Sequence, residues 1–361
     1  MRRSGNSVGE SRYTYVEELV MMKNYVFSIC FLFFFVSCDK SKKPENKTNF
    51  SYDISITAPE EYPVEIHTGY LSSGKKFITD IINTGEEKQG WIYDGNTQSG
   101  GSTIPDFLDL TWISYAEKKF WNLETPLPAD KILALFRKGF IYKNSKDSIT
   151  TETYGQIVIG TAPGGVVVVW LDGSVKRVEV GRYQAVETFV DKNRFQPVVD
   201  TTETQEQFLE TWYKLAITNE TKEEIKKHGI PFGLWDSYRK KYNWRFRTEF
   251  YKKDDKDKFQ NITFFNGEFI VLYEEELGKK EFSLRAVPIR AEFVFRKYNS
   301  GVEFNEKEIF DAFKKLSTNH PDAAIEIEVR PAFMYKTLQF TVKCEGEEIP
   351  LEKTEVNMYK N

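Results

Sequence analysis

Cysteine and histidine are scarce, three of each in 361 residues. That leaves little material for a metal site or a cysteine-based active site. His67, His228 and His320 are scattered and lack metal-ligand spacing. A positive excess is also missing. Fifty Lys and Arg stand against 54 Asp and Glu, a net charge of −4, which excludes a strongly basic nucleic-acid binder. No apolar run reaches the roughly 20 residues that span a bilayer, so a polytopic membrane protein is excluded. At 40% hydrophobic and 15% aromatic residues, the chain is too apolar to be largely disordered. No metal and no cofactor are expected.

The most apolar segment is Tyr25–Val36, YVFSICFLFFFV. It follows Lys23 and ends at Ser37-Cys38, the pattern of a secretory signal peptide over residues 1–37. Met21 and Met22 directly precede the apolar run, so residues 1–20 read as a start-site artefact. Cys38 after a small residue, followed by a polar tether to residue 49, resembles the lipobox of bacterial lipoproteins. That resemblance implies cleavage before Cys38 and acylation of its thiol, although Phe35 stands where Leu is usual. Two or more acyl chains hold a protein stably on a bilayer. The expected placement is the bacterial cell envelope, membrane-anchored and facing the periplasm. With Cys38 acylated, only Cys344 remains, and its alternation with apolar residues in LQFTVKC predicts a buried small hydrophobe.

The remainder reads as α+β, with mainly antiparallel sheets. A β-rich domain is expected over 50–190, and a helical segment with a second α+β domain over 203–361. Leu108 to Phe120 alternates as one strand, and Asp94 to Pro105 reads as a Gly-rich loop. Asp172-Gly173 and Asn266-Gly267 are hairpin signals. VVVVWL predicts a strand buried on both faces. The two halves read alike: a helix with Ile132 and Phe136, then strands, against a helix with Ile309 and Phe313, then strands. Duplication of one unit is one explanation; the competing one is that strand–helix–strand–strand order is common.

The segments Trp91-Ile92-Tyr93-Asp94-Gly95, Gly100-Gly101-Ser102 and Leu108 to Glu117, with Leu127-Pro128 and Pro163-Gly164-Gly165 before Val169-Trp170-Leu171, together resemble the bacterial lipoprotein family called domain of unknown function 2931. The resemblance runs over about 50–190, and Pro231–Asp236 with Tyr242–Arg245 resembles an extension of longer members. It implies an envelope lipoprotein and carries no catalytic residues.

Asp106, Asp109, Glu117 and Glu124 are carboxylates near the aromatic strand. On one unbroken strand Asp109 and Glu117 would lie about 26 Å apart, too far for a catalytic pair, so a solvated strand face is expected. Ser114 and Ser174 lack a nucleophile-elbow frame. Most of the tryptophans Trp91, Trp112, Trp121, Trp170, Trp212, Trp235 and Trp244 fit core packing, whereas Tyr93, Tyr115 and, among the tryptophans, Trp121 are the expected exposed binding surface. The functional expectation is a non-catalytic protein binding a protein partner, with an immunity-type protein as one version. The alternative is a carbohydrate-binding or carbohydrate-processing lipoprotein, with a glycan as ligand.

Overall fold

The computed structural model describes residues 47–144, 148–197, 202–252 and 254–360. The expected signal peptide at 1–37 and the expected acylation site Cys38 lie outside the described residues. In the first half the strands are β1 (Asn49–Thr57), β2 (Val64–Ser73), β3 (Lys76–Asp80), the short β4 (Glu86–Glu87), β5 (Asn96–Thr103), β6 (Phe107–Ser114) and β7 (Lys119–Pro126). Helix α1 (Ala129–Lys138), the small hairpin β8 (Phe140–Lys143) and β9 (Ile149–Glu152), then β10 (Gln156–Ala162), β11 (Val166–Asp172), β12 (Lys176–Gln184) and β13 (Val186–Thr188) complete it. Four helices link the halves: α2 (Lys192–Phe195), α3 (Gln205–Ala216), α4 (Asn219–His228) and α5 (Leu234–Tyr238). The second half runs β14 (Tyr242–Thr248), β15 (Phe259–Phe264), β16 (Phe269–Tyr273), α6 (Glu274–Leu277), β17 (Ser283–Arg285), β18 (Pro288–Val294), β19 (Tyr298–Glu303), α7 (Glu306–Asn319), β20 (Ile325–Pro331), β21 (Leu338–Cys344), β22 (Glu347–Leu351) and β23 (Glu355–Lys360).

The two halves have one topology. In the first, the strand orders are β5-β1-β10-β11-β12 and β3-β2-β6-β7-β13; in the second they are β17-β14-β20-β21-β22 and β16-β15-β18-β19-β23. Each half has one parallel pair, β1 with β10 and β14 with β20, while the other neighbours named here are antiparallel. The helix lies just after β7 in one half and just after β19 in the other. Both helices bury the fourth and eighth residues, Ile132 and Phe136 in α1, Ile309 and Phe313 in α7. That is the i, i+4 spacing that places two side chains on one face. Gly139 stops α1 with a positive φ of 55°, and Asn305 caps α7 by accepting from the Glu308 N–H at 3.1 Å.

The sheets are mainly antiparallel, as the sequence implies. Each unit has two layers built on five-strand paths, with β4 added beside β2 in the first, and one layer of each unit is fused into a ten-stranded sheet. The seam is narrow: β12 meets β16 through Lys176 with Ile270 and Arg177 with Phe269. The described residues form one compact unit. Strand β11 is buried on both faces, as its apolar run implies. Val167, Val169 and Leu171 enter the first core, while Val166, Val168 and Trp170 join the second.

Two local readings also change. Residues 108–120 are a hairpin rather than one strand, because the chain turns between Ser114 and Lys119, with Lys118 at φ 55°. The Gly-rich stretch contains a strand, β5, paired with β1. Glycine is needed there because a Cβ on Gly100 would lie 2.5 Å from the Tyr52 carbonyl oxygen.

Candidate functional site

A cleft of about 580 Å³ lies where the first half, the linking helices and the second half meet. Its aromatic wall is built by short-range geometry. Pro59 to Pro63 makes a tight turn, with the Tyr62 N–H donating to the Pro59 carbonyl at 3.0 Å. The Tyr62 ring meets Trp235 of α5 edge to face at 5.5 Å. Trp91 follows Gly90, whose N–H donates to Ala58 at 3.0 Å and whose φ is 102°. Trp91 lies 6.3 Å from Trp235, is 6% exposed, and its buried Nε1 has no hydrogen-bond partner among the described residues. Tyr238 closes this side, donating its hydroxyl proton to Glu306 at 2.7 Å. Burial raises the Tyr238 phenol, and the bond to Glu306 raises it further.

Helix α5 is fastened in place by two Arg–carboxylate forks. Arg182 of β12 holds Asp236 at 2.8 and 2.6 Å, and Arg239 holds Glu179 of β12 at 3.0 and 2.7 Å.

The rim is acidic. Glu60, Glu61, Glu220, Glu224 and Glu306 line the cleft, against Arg290 as the sole basic lining residue. The Tyr62 phenol is raised by burial, then by the charges of Glu61 and Glu224. Aromatic faces and carboxylates together favour ammonium or guanidinium groups, and they also suit sugar faces with their hydroxyls.

Of the three aromatics expected at a binding surface, none lines this cleft and one lies beside it. Tyr93 is 47% exposed and accepts a hydrogen bond from Arg290, which lines the cleft. Trp121 is half-buried over the turn at Gly165, where a Cβ would sit 2.6 Å from its ring. Its Nε1 donates to Glu117 at 3.1 Å, and Glu117 also accepts from the Gly164 N–H at 3.1 Å. The exposure expected of Tyr115 is corrected: it is 1% exposed, donates to Glu65 at 2.5 Å and stacks on Trp212 of α3 at 5.5 Å. Docking of α3 covers it.

The carboxylates weighed in the sequence stay outside the cleft. Asp109 pairs across the hairpin with Glu124, and its carboxyl is raised by burial and by that neighbour. Among the described residues, no group of three or more His, Cys, Asp or Glu could hold a metal ion. Sequence reasoning missed Tyr62, Glu61, Glu224, Tyr238 and Arg290. One signal was available: Glu60-Glu61-Tyr62 between Pro59 and Pro63, a charged and aromatic tip on a stiff turn.

A family model described as "Protein of unknown function (DUF2931)" matches residues 39–233, more than half of the chain. No curated protein matches it, and no solved structure does.

Proposed function

We propose that this chain, which belongs to the DUF2931 family of proteins of unknown function, is a non-catalytic envelope lipoprotein that binds a basic segment of a protein partner. The observation that carries the reading is the charge balance of the cleft: five carboxylates and one guanidinium around Tyr62, Trp91 and Trp235. A Lys or Arg side chain entering there would meet aromatic faces and an excess of carboxylates at once. Acylated Cys38 would hold the protein to the bilayer on the periplasmic side, with the polar segment to residue 49 as tether. An immunity-type protein that neutralises a basic toxin is one version of this reading.

Residues 242–360 are, on this reading, a second copy of the unit at 49–188. The shared strand order, the single parallel pair in each half and the Ile132/Phe136 and Ile309/Phe313 spacing support it. The copy lies beyond the family match at 39–233, so the cleft would be a product of pairing two such units.

A glycan is the second reading, favoured by Trp91 Nε1, a buried donor beside the cleft with no partner among the described residues. One experiment separates the two. Detergent-solubilised protein is immobilised and offered an extract of its own envelope, beside the variant Glu61→Lys/Glu224→Lys. A polypeptide held by wild type and depleted at least tenfold on the variant supports the first reading. Retention of a glycan without polypeptide selects the second.

A further inference from the structure

A second cavity, of about 200 Å³, lies in the second half beside the seam, lined by residues of β14, β15, β16 and the segment from α6 to β17. Its charge is opposite to that of the cleft. Arg245, Lys279, Lys280 and Arg285 line it, against Glu276 and Glu281. Arg245 is already committed: it holds Glu326 at 2.9 and 2.6 Å and donates to the Lys280 carbonyl. Arg285 is not. It is half-buried, and its side chain makes one hydrogen bond, from Nη2 to Ser283 Oγ at 3.3 Å, with no ion pair among the described residues.

An unpaired guanidinium withdrawn from water is costly unless something neutralises it. Burial accordingly lowers the pKa of Arg285, with only Glu276 acting against it. Across the seam, Lys176 is also lowered, first by burial and then by Lys138, with Arg285 adding to the effect against Glu268 and Glu276. Beside the seam, Arg285 thus lines an open cavity as a half-buried cation with no ion pair among the described residues.

We propose that this cavity binds a small oxyanion, the phosphate or carboxylate group of a ligand, on the Arg285 guanidinium, with the exposed Lys279 and Lys280 at its mouth. The Arg fork matches two oxygens of either group, which an ammonium cannot do. The cavity is separate from the acidic cleft, so the inference does not depend on the partner-binding reading.

The test is thermal unfolding of the detergent-solubilised full-length protein in chloride, inorganic phosphate and acetate at equal ionic strength. Wild type is compared with Arg285→Gln, Arg285→Lys and Lys280→Gln. Phosphate stabilises folded proteins without a site, so the readout is the difference between wild type and Arg285→Gln. A saturable rise in midpoint is expected for wild type in at least one oxyanion, and which one distinguishes phosphate from carboxylate. Arg285→Gln should lose it, while Arg285→Lys should need at least tenfold more anion because the fork is gone. In chloride, Arg285→Gln should melt no lower than wild type, since no ion pair is lost. Lys280→Gln, at an exposed position, should weaken the response about threefold with an unchanged chloride midpoint. A wild type without a saturable rise in either oxyanion overturns the proposal, as does an Arg285→Gln variant that responds equally.

Discussion

Trp170 of β11 and Trp91 of the cleft meet edge to face, with ring centroids 5.0 Å apart and planes at 79°. Trp170 is fully buried, and its ring fills the space where a Cβ on Gly160 would approach to 2.4 Å and one on Gly267 to 2.9 Å. Gly267 belongs to the turn between β15 and β16. One indole therefore joins the first unit, the second unit and the wall of the cleft.

Trp170→Ala is expected to cost about 3–5 kcal/mol, the range for removing a large buried aromatic. Urea unfolding checks it. A loss below about 1 kcal/mol, typical of surface positions, would contradict the packing described. Partner binding should weaken as well, because Trp91 loses its support.

Arg177 should be as sensitive, for an electrostatic reason. It is 1% exposed, donates to Asp172 at 3.1 and 2.5 Å, and also pairs with Asp94 beside the cleft loop. Burial pushes the Asp172 carboxyl above the usual range, and Asp94 adds to this against the pull of Arg177. Arg177→Met leaves the buried Asp172 facing the half-buried Asp94 and should cost about 3–5 kcal/mol. Adding Asp172→Asn should recover part of that loss. If both single variants and the double variant lose stability additively, the residues are not coupled.

Asp257 gives a pH signature. Burial raises its carboxyl from 3.8 to about 6, and Asp255 adds to the rise, against hydrogen bonds with Thr248 and Gln260 that pull it down. The folded protein therefore holds a proton that the unfolded chain releases between these values. Its stabilising effect is complete below about pH 3.8 and fades as pH rises through about 6. Asp257→Asn should stay close to wild type at pH 4 and gain on it by pH 8. Urea midpoints across that range decide it; a constant difference would place the carboxylate in water.

The anchor is tested by a fatty-acid probe. Wild type should take up label and partition into detergent, whereas Cys38→Ser should fold normally and remain unlabelled. An unlabelled wild type would remove the lipoprotein reading and the envelope placement with it.

Much of the fold was legible because it rests on short-range rules. The hairpins expected at Asp172-Gly173 and Asn266-Gly267 are present, with loops longer than two residues, and Gly139 stops α1 at a positive φ. The likeness of the halves showed in Ile132/Phe136 and Ile309/Phe313, since a helix face has a fixed period. Strand β5 was missed because its residues have no β propensity of their own; pairing with β1 around Tyr52 imposes the extended form. Tyr115 was misplaced because its cover, Trp212, comes from a helix almost a hundred residues later. The cleft was illegible for the same reason. Tyr62, Trp91, Glu224, Trp235 and Arg290 meet only after two units and the linking helices have docked.

The most direct measurement is photo-crosslinking in living cells from a probe placed at position 61, on the acidic rim, with position 227 of α4 as the control. Glu61 lines the cleft, whereas Lys227 is exposed and does not. A protein adduct from position 61 that is absent from position 227, and that disappears when Glu224→Lys is added, is the expected result. No polypeptide adduct from position 61, or the same adduct from both positions, would contradict a partner held by the cleft.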